Sequence, residues 1–140
     1  MLLLILHPTK DYTMECYVDS DFAGMWNVEH HTSPEAVRSR AGYSIMICGC
    51  PVVWRSQLMR TIAASTMEAE YNALSFAMKD VIPMQELFKV IGPACGVSSD
   101  VITTFKTTVY EDNQGAQKLA NKAPVSYSTS YFLVSAIGLL

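Results

Sequence analysis

Charge is scarce in this chain of 140 residues: Asp, Glu, Lys and Arg make up 16%, with ten cations against thirteen anions and a net charge of -3. No general basic field therefore draws the chain onto nucleic acid or an anionic membrane, and any nucleic-acid contact has to be local. Long apolar runs are also missing. Residues 1–6 are apolar but stop at His7-Pro8, and the apolar stretch 131–140 is half of the ~20 residues a membrane helix needs. Neither a spanning segment nor a targeting signal is expected. Four cysteines contain no Cys-x-x-Cys pair, and without a secretory signal they read as reduced, mostly buried thiols. There is no Gly-rich phosphate loop, no Gly-x-Ser-x-Gly elbow, no internal repeat and no low-complexity linker.

What is present is apolar: hydrophobic residues are 50% of the chain, which excludes an extended disordered chain and supplies one mixed α/β domain with a core. Residues 13–18 are rich in β-formers and run into Asp19-Ser20-Asp21, which reads as a turn. Residues 24–40 read as a long loop, and 41–48 with 51–54 as a hairpin about Gly49-Cys50. A further short strand is expected at 61–64. Ser65-Thr66-Met67-Glu68 has capping-box spacing, and Met67, Tyr71, Leu74, Met78 and Val81 follow at helical intervals. Pro83 predicts a kink or a break before the pattern resumes up to Gly92-Pro93. Another strand is expected within 102–110, and a second helix over 114–121 with Asp112-Asn113 as its cap.

Three acidic residues stand out. With Met67 set at 0° on a helical wheel, the large apolar residues fall within roughly 40° of it and Glu70 falls at about −60°, on the edge of the buried stripe. Burying an unpaired carboxylate costs several kcal/mol, on the order given by desolvation, so Glu70 needs a partner or a function. Glu68 is accounted for by the capping box. Asp19 and Asp112 each close a strand, where an Asx-turn or a helix cap is one reading and a site outside the strand ends is the other. Converging, the three could hold a hard cation such as Mg²⁺. Other metal patterns fail. Asp19-Ser20-Asp21 opens like a calcium loop but has Ala23 and His30 where ligands belong, and His30, His31, Cys48 and Cys50 fit no zinc spacing.

Tyr17-Val-Asp-Ser-Asp-Phe-Ala-Gly24, Ser39-Arg-Ala-Gly-Tyr43, Ser65-Thr-Met-Glu-Ala-Glu-Tyr-Asn-Ala-Leu74 and Glu111-Asp-Asn-Gln-Gly-Ala116 resemble, in order and spacing, the ribonuclease H domain of copia-type LTR retrotransposon polyproteins. The resemblance covers residues 13–123, leaving 1–12 as a residual upstream segment and 124–140 as an aberrant apolar tail. It implies an RNase H-like fold, a central mixed sheet flanked by helices, that hydrolyses the RNA strand of an RNA/DNA hybrid. The family's carboxylates fall on Asp19, Glu70 and Asp112, implied ligands of Mg²⁺, with Mn²⁺ as a substitute, in a two-metal mechanism. Asp21 is expected to support the first position or to face solvent in the turn. In an intact element the partners would be a reverse transcriptase and the other polyprotein domains, in the cytoplasm.

The chain departs from that family after Pro124. A basic block, a fourth carboxylate and a final helix are expected there, whereas Asp112 is the last acidic residue of the chain. A frameshift, mis-splicing or truncation is the expected cause, and the alternative to a working nuclease is a catalytically inactive retroelement remnant, with or without residual hybrid binding. Arg38, Arg40, Arg55 and Arg60 are the candidate phosphate contacts, each equally readable as a solvated surface arginine.

Overall fold

Period-two burial builds the first strand of the computed structural model, which describes residues 6–9, 11–24, 26, 32–33, 35–122 and 132–136. Strand β1 (Met14–Asp21) buries Met14, Cys16 and Val18 on one face and turns Glu15 and Tyr17 the other way. It pairs antiparallel with β2 (Arg40–Ile47), which pairs antiparallel with β3 (Cys50–Leu58). Asp19, Ser20 and Asp21, expected as a turn, are paired strand residues opposite Gly42, Ala41 and Arg40. The ladder supplied by β2 overrides the turn preference of Asp and Ser. The hairpin turns one residue earlier than expected, at Cys48-Gly49, with φ of +51° and +75°. Two positive φ values suit the twist of a two-residue hairpin loop, and Gly49 takes its share without steric cost. Residues 61–64 form no strand; Ala63 is buried while Thr61, Ile62 and Ala64 lie exposed.

Helix α1 (Thr66–Ile91) starts at the expected box: Ser65 Oγ accepts from the Glu68 N–H at 3.2 Å, and Glu68 Oε2 accepts from the Ala64 N–H at 2.8 Å. It runs unbroken past Pro83, which is exposed, because Val81 and Gln85 on either side are both buried and hold the helix to the core. Its buried face is Ala69, Glu70, Ala73, Leu74, Ala77, Val81 and Gln85, whereas Met67 is exposed. On the wheel that face centres near −70°, so Glu70 sits in the middle of it rather than on its edge. Fully buried alanines, with no bulk of their own, let the helix backbone settle close onto the sheet.

The strand expected within 102–110 lies in the second half of that stretch, and a helix precedes it. Ser99–Thr104 form a short helix, α2, and Thr107–Glu111 form strand β4, with Phe105 buried between them and stacked on Phe88 at 4.1 Å. Ser98 precedes the helix and Asp100 lies in its first turn, a polar start that propensity for strand obscured. Helix α3 (Gln114–Lys122) follows, and residues 132–136, within the stretch read as an apolar tail, form strand β5 (Phe132–Ala136). The five strands lie in the order β3-β2-β1-β4-β5, with β4 parallel to both β1 and β5. The result is an α/β domain with a mixed sheet, α1 and α3 touching each other and the sheet. Met14, Cys16, Ile45, Ala73, Leu74, Val81, Phe105 and Val109 form the core between them.

Candidate metal centre

Parallel pairing of β1 and β4 places the first and third acidic residues at one level. Tyr17 lies opposite Tyr110, so two residues further on Asp19 and Asp112 stand side by side just past the end of the β1–β4 pairing. The first turns of α1 lie over that end and bring Glu70 down between them. Ligand oxygens of Asp19, Glu70 and Asp112 all fall within 4.8 Å of one another. The three residues separated by 51 and 42 positions in sequence (70 − 19 and 112 − 70) thus converge.

Their surroundings differ. Asp19 and Asp112 are exposed, whereas Glu70 is 7% exposed and its Oε2 has no hydrogen-bond partner among the described residues. Burial pushes the Glu70 carboxyl up to about 7, helped by the charges of Glu111, Asp19 and Asp112 and opposed by the Ser20 hydroxyl. Asp112 is not the cap of α3. That role belongs to Asn113, whose Oδ1 accepts from the Gly115 and Ala116 N–H groups at 2.9 and 3.0 Å. Asp112 is therefore free to face the other two carboxylates.

A further carboxyl beside these three is not among the sequence candidates. Glu111 is fully buried; its Oε1 accepts from the Asn113 N–H at 3.0 Å, and its Oε2 has no partner among the described residues. Burial and the neighbouring Asp112 and Asp19 charges push this carboxyl up to about 7, against the pull of the Asn113 N–H. The Gln117 side chain donates to the Glu111 carbonyl and ties α3 back to the strand end. The signal was available: Thr107, Val109 and Glu111 share the buried face of β4 by period-two alternation, so a Glu at the third position is out of place for a core.

Asp21 ends β1 exposed, its carboxylate lying where a Cβ on Gly24 would sit, 1.8 Å from its Oδ2. Gly24 is what allows this approach. The four arginines do not form one set. Arg55 and Arg60 line a common groove, whereas Arg40, exposed at the head of β2, and Arg38, half-buried with its Nε unpartnered among the described residues, do not line it. Of the rejected zinc candidates, His30 and His31 lie outside the described residues. All four cysteines are free, as expected of reduced thiols, but only Cys16 and Cys50 are buried; Cys48 is intermediate and Cys95 is exposed. No helix among the described residues is long and apolar enough to cross a membrane.

No family model matches the chain, and no solved structure matches it. Among curated proteins it is similar to a "Secreted RxLR effector protein 161" from Plasmopara viticola, 39% identical over 66 residues, which cover 47% of this chain and 41% of that protein. It is also similar to a "Retrovirus-related Pol polyprotein from transposon TNT 1-94" from Nicotiana tabacum, 29% identical over 83 residues, covering 59% of this chain and 6% of the polyprotein. The chain thus spans less than half the length of the curated relatives it matches. The second likeness fits a retrotransposon origin.

Proposed function

We propose that this chain is a retrotransposon-derived ribonuclease H, of RNase H-like fold, that hydrolyses the RNA strand of an RNA/DNA hybrid with the help of a divalent cation. The observation that carries the reading is the convergence of Asp19, Glu70 and Asp112 within 4.8 Å, with the Glu70 Oε2 buried and unpartnered. An all-oxygen, all-carboxylate set fits a hard cation, and a buried acceptor without a donor is what a ligand position leaves when read without its ion. Asp19, Glu70 and Asp112 would hold the ion. Bound there, Mg²⁺, or Mn²⁺ in its place, would supply the Lewis acidity that activates water and stabilises the leaving 3′ oxygen.

The protein's own contribution is placement. Exposed Asp19 and Asp112 present carboxylate oxygens to an incoming backbone, while buried Glu70 is fixed in direction by the helix face packed on the sheet. Asn113, by capping α3 immediately after Asp112, holds the strand end in line. The choice of an RNA/DNA hybrid as substrate, and of a reverse transcriptase as the partner in an intact element, rests on the motif resemblance; the likeness to a Pol polyprotein fits a retrotransposon origin.

A second reading, a module that binds hybrid without cutting it, is favoured by one observation: no acidic residue follows Asp112. Incubating an end-labelled hybrid with the purified chain in Mg²⁺ and then Mn²⁺ separates the two. Under the nuclease reading the RNA strand is cut and Glu70→Gln abolishes the cut, a loss of at least about a hundredfold given how strongly such sites depend on ligand geometry. An uncut hybrid that still shifts in a gel would leave the binding module.

A further inference from the structure

A groove of about 590 Å³ opens between the end of β3, the segment after it and the flank of α1 turned away from Glu70. Arg55, Arg60 and Lys79 line it together with the neutral hydrogen-bonding side chains of Gln57, Asn72 and Ser75. Three of the ten cations of an acidic chain thus border one groove, and among the described residues no Asp or Glu lines it. Arg60 and Lys79 make no ion pair among the described residues. Arg55 is posed: its Nη2 lies 3.5 Å from Asp80 Oδ2, an oxygen that also accepts from the Tyr43 hydroxyl, and its guanidinium sits 5.9 Å from the Phe76 ring centre. Lys79 Nζ lies 5.8 Å from the same ring.

Strand register relates this groove to the carboxylates. Gln57 lies opposite Ala41, and Ala41 lies opposite Ser20, the residue after Asp19. Ala41, in the lining, is one strand spacing from β1, and the polar lining starts at Gln57, two spacings or about 10 Å from the strand that carries Asp19, at the same end of the sheet. Successive phosphates of one strand rise about 3.4 Å along a duplex, so this distance amounts to roughly three nucleotide steps.

We propose that the Arg55–Arg60–Lys79 groove binds the phosphodiester backbone of nucleic acid a few nucleotides from the carboxylate cluster. Guanidinium forks match paired phosphate oxygens, and amide and hydroxyl donors complete contacts that position a backbone without reading sequence. The groove supplies a local cationic patch on a chain of net charge -3. The choice of nucleic acid as the ligand rests on the nuclease reading; the cationic groove itself does not.

The test is titration of a fluorescently labelled RNA/DNA hybrid with the full chain in EDTA, which prevents cleavage, at several salt concentrations. Arg60→Glu and Lys79→Glu are each expected to weaken binding about tenfold or more, and to lower the slope of log K against log salt by about one. Lys79→Arg should retain wild-type binding, and Ser75→Glu, which adds an anion at the exposed rim without removing a cation, should reproduce the loss. Unchanged affinity and slope in these Glu variants, with circular dichroism showing them folded, would overturn the proposal. So would a wild-type chain that binds no hybrid, and polyglutamate binding that the same variants weaken would then give the groove to an acidic protein. A chain that binds hybrid through the groove but never cuts it in Mg²⁺ or Mn²⁺ sinks the nuclease reading alone. One that cuts hybrid with binding indifferent to the groove variants sinks the groove alone.

Discussion

Glu111 changes what is expected of the acidic cluster more than any residue the motifs identify. Both it and Glu70 titrate near 7, well above the ~4.3 of a free glutamate, chiefly because they are buried. A carboxyl raised in the folded state binds its proton more tightly there than in the unfolded chain. Its stabilising share is therefore complete below about pH 4.3 and is lost as pH rises through about 7. The metal-free protein should melt at a higher temperature at pH 5 than at pH 8, and Glu111→Gln should flatten that difference in differential scanning calorimetry. Mg²⁺ at pH 8 should restore stability, since the cation favours the ionised carboxylates that the bare fold disfavours. Glu70 was legible in the sequence because its wheel position conflicts with solvent. Glu111 was not, since a Glu beside an Asp before a helix reads as part of a polar cap until the strand alternation is counted.

Among the elements, the junction between the starts of α1 and α3 carries the most geometric constraint. A Cβ on Gly115 would lie 2.8 Å from Met67 Sδ and 3.0 Å from Asn113 Oδ1. Met67 is 43% exposed, so its thioether can swing away, but Asn113 Oδ1 is the acceptor that caps α3. Gly115→Ala gains about 1 kcal/mol of helix propensity and spends it in this crowding, so thermal stability should move by less than about 1 kcal/mol. The cap, once displaced, shifts Asp112, and hybrid cleavage should fall ten- to a hundredfold, about the cost of an ångström at a reacting centre. Parallel melting and cleavage assays would separate the two effects. The start of α1 was readable from Ser65 and Glu68 because capping is local chemistry. Its buried face was misplaced because large side chains were weighted over Ala69, Ala73 and Ala77, whose value lies in close approach to a sheet the sequence does not display. The same blindness to partners hid α2 and turned Asp19–Asp21 into an expected turn: strand continuation there depends on β2, twenty residues away in the chain.

Across the whole molecule, the mixed α/β architecture followed from the order of apolar patterns, whereas strand order and the neighbourhood of β1 and β4 did not, since no local signal specifies which strands meet. That neighbourhood has a consequence in time. β1, β2 and β3 pair between near neighbours in sequence, but Met14 meets Thr107 and Tyr17 meets Tyr110, each 93 residues away (107 − 14 and 110 − 17). Closing a loop of that length is entropically late, and parallel pairing comes after local hairpins and helices have formed. Refolding should therefore show far-UV ellipticity from α1 and the hairpin returning before a Mg²⁺-sensitive signal from the carboxylates. The stacked rings of Tyr17 and Tyr110, 4.7 Å apart across the β1–β4 seam with both hydroxyls directed at Glu15, offer the clock: their near-UV band forms only when the seam does. A nascent chain emerging from the ribosome would carry Asp19 and Glu70 without a site until β4 had been made and had docked beside β1.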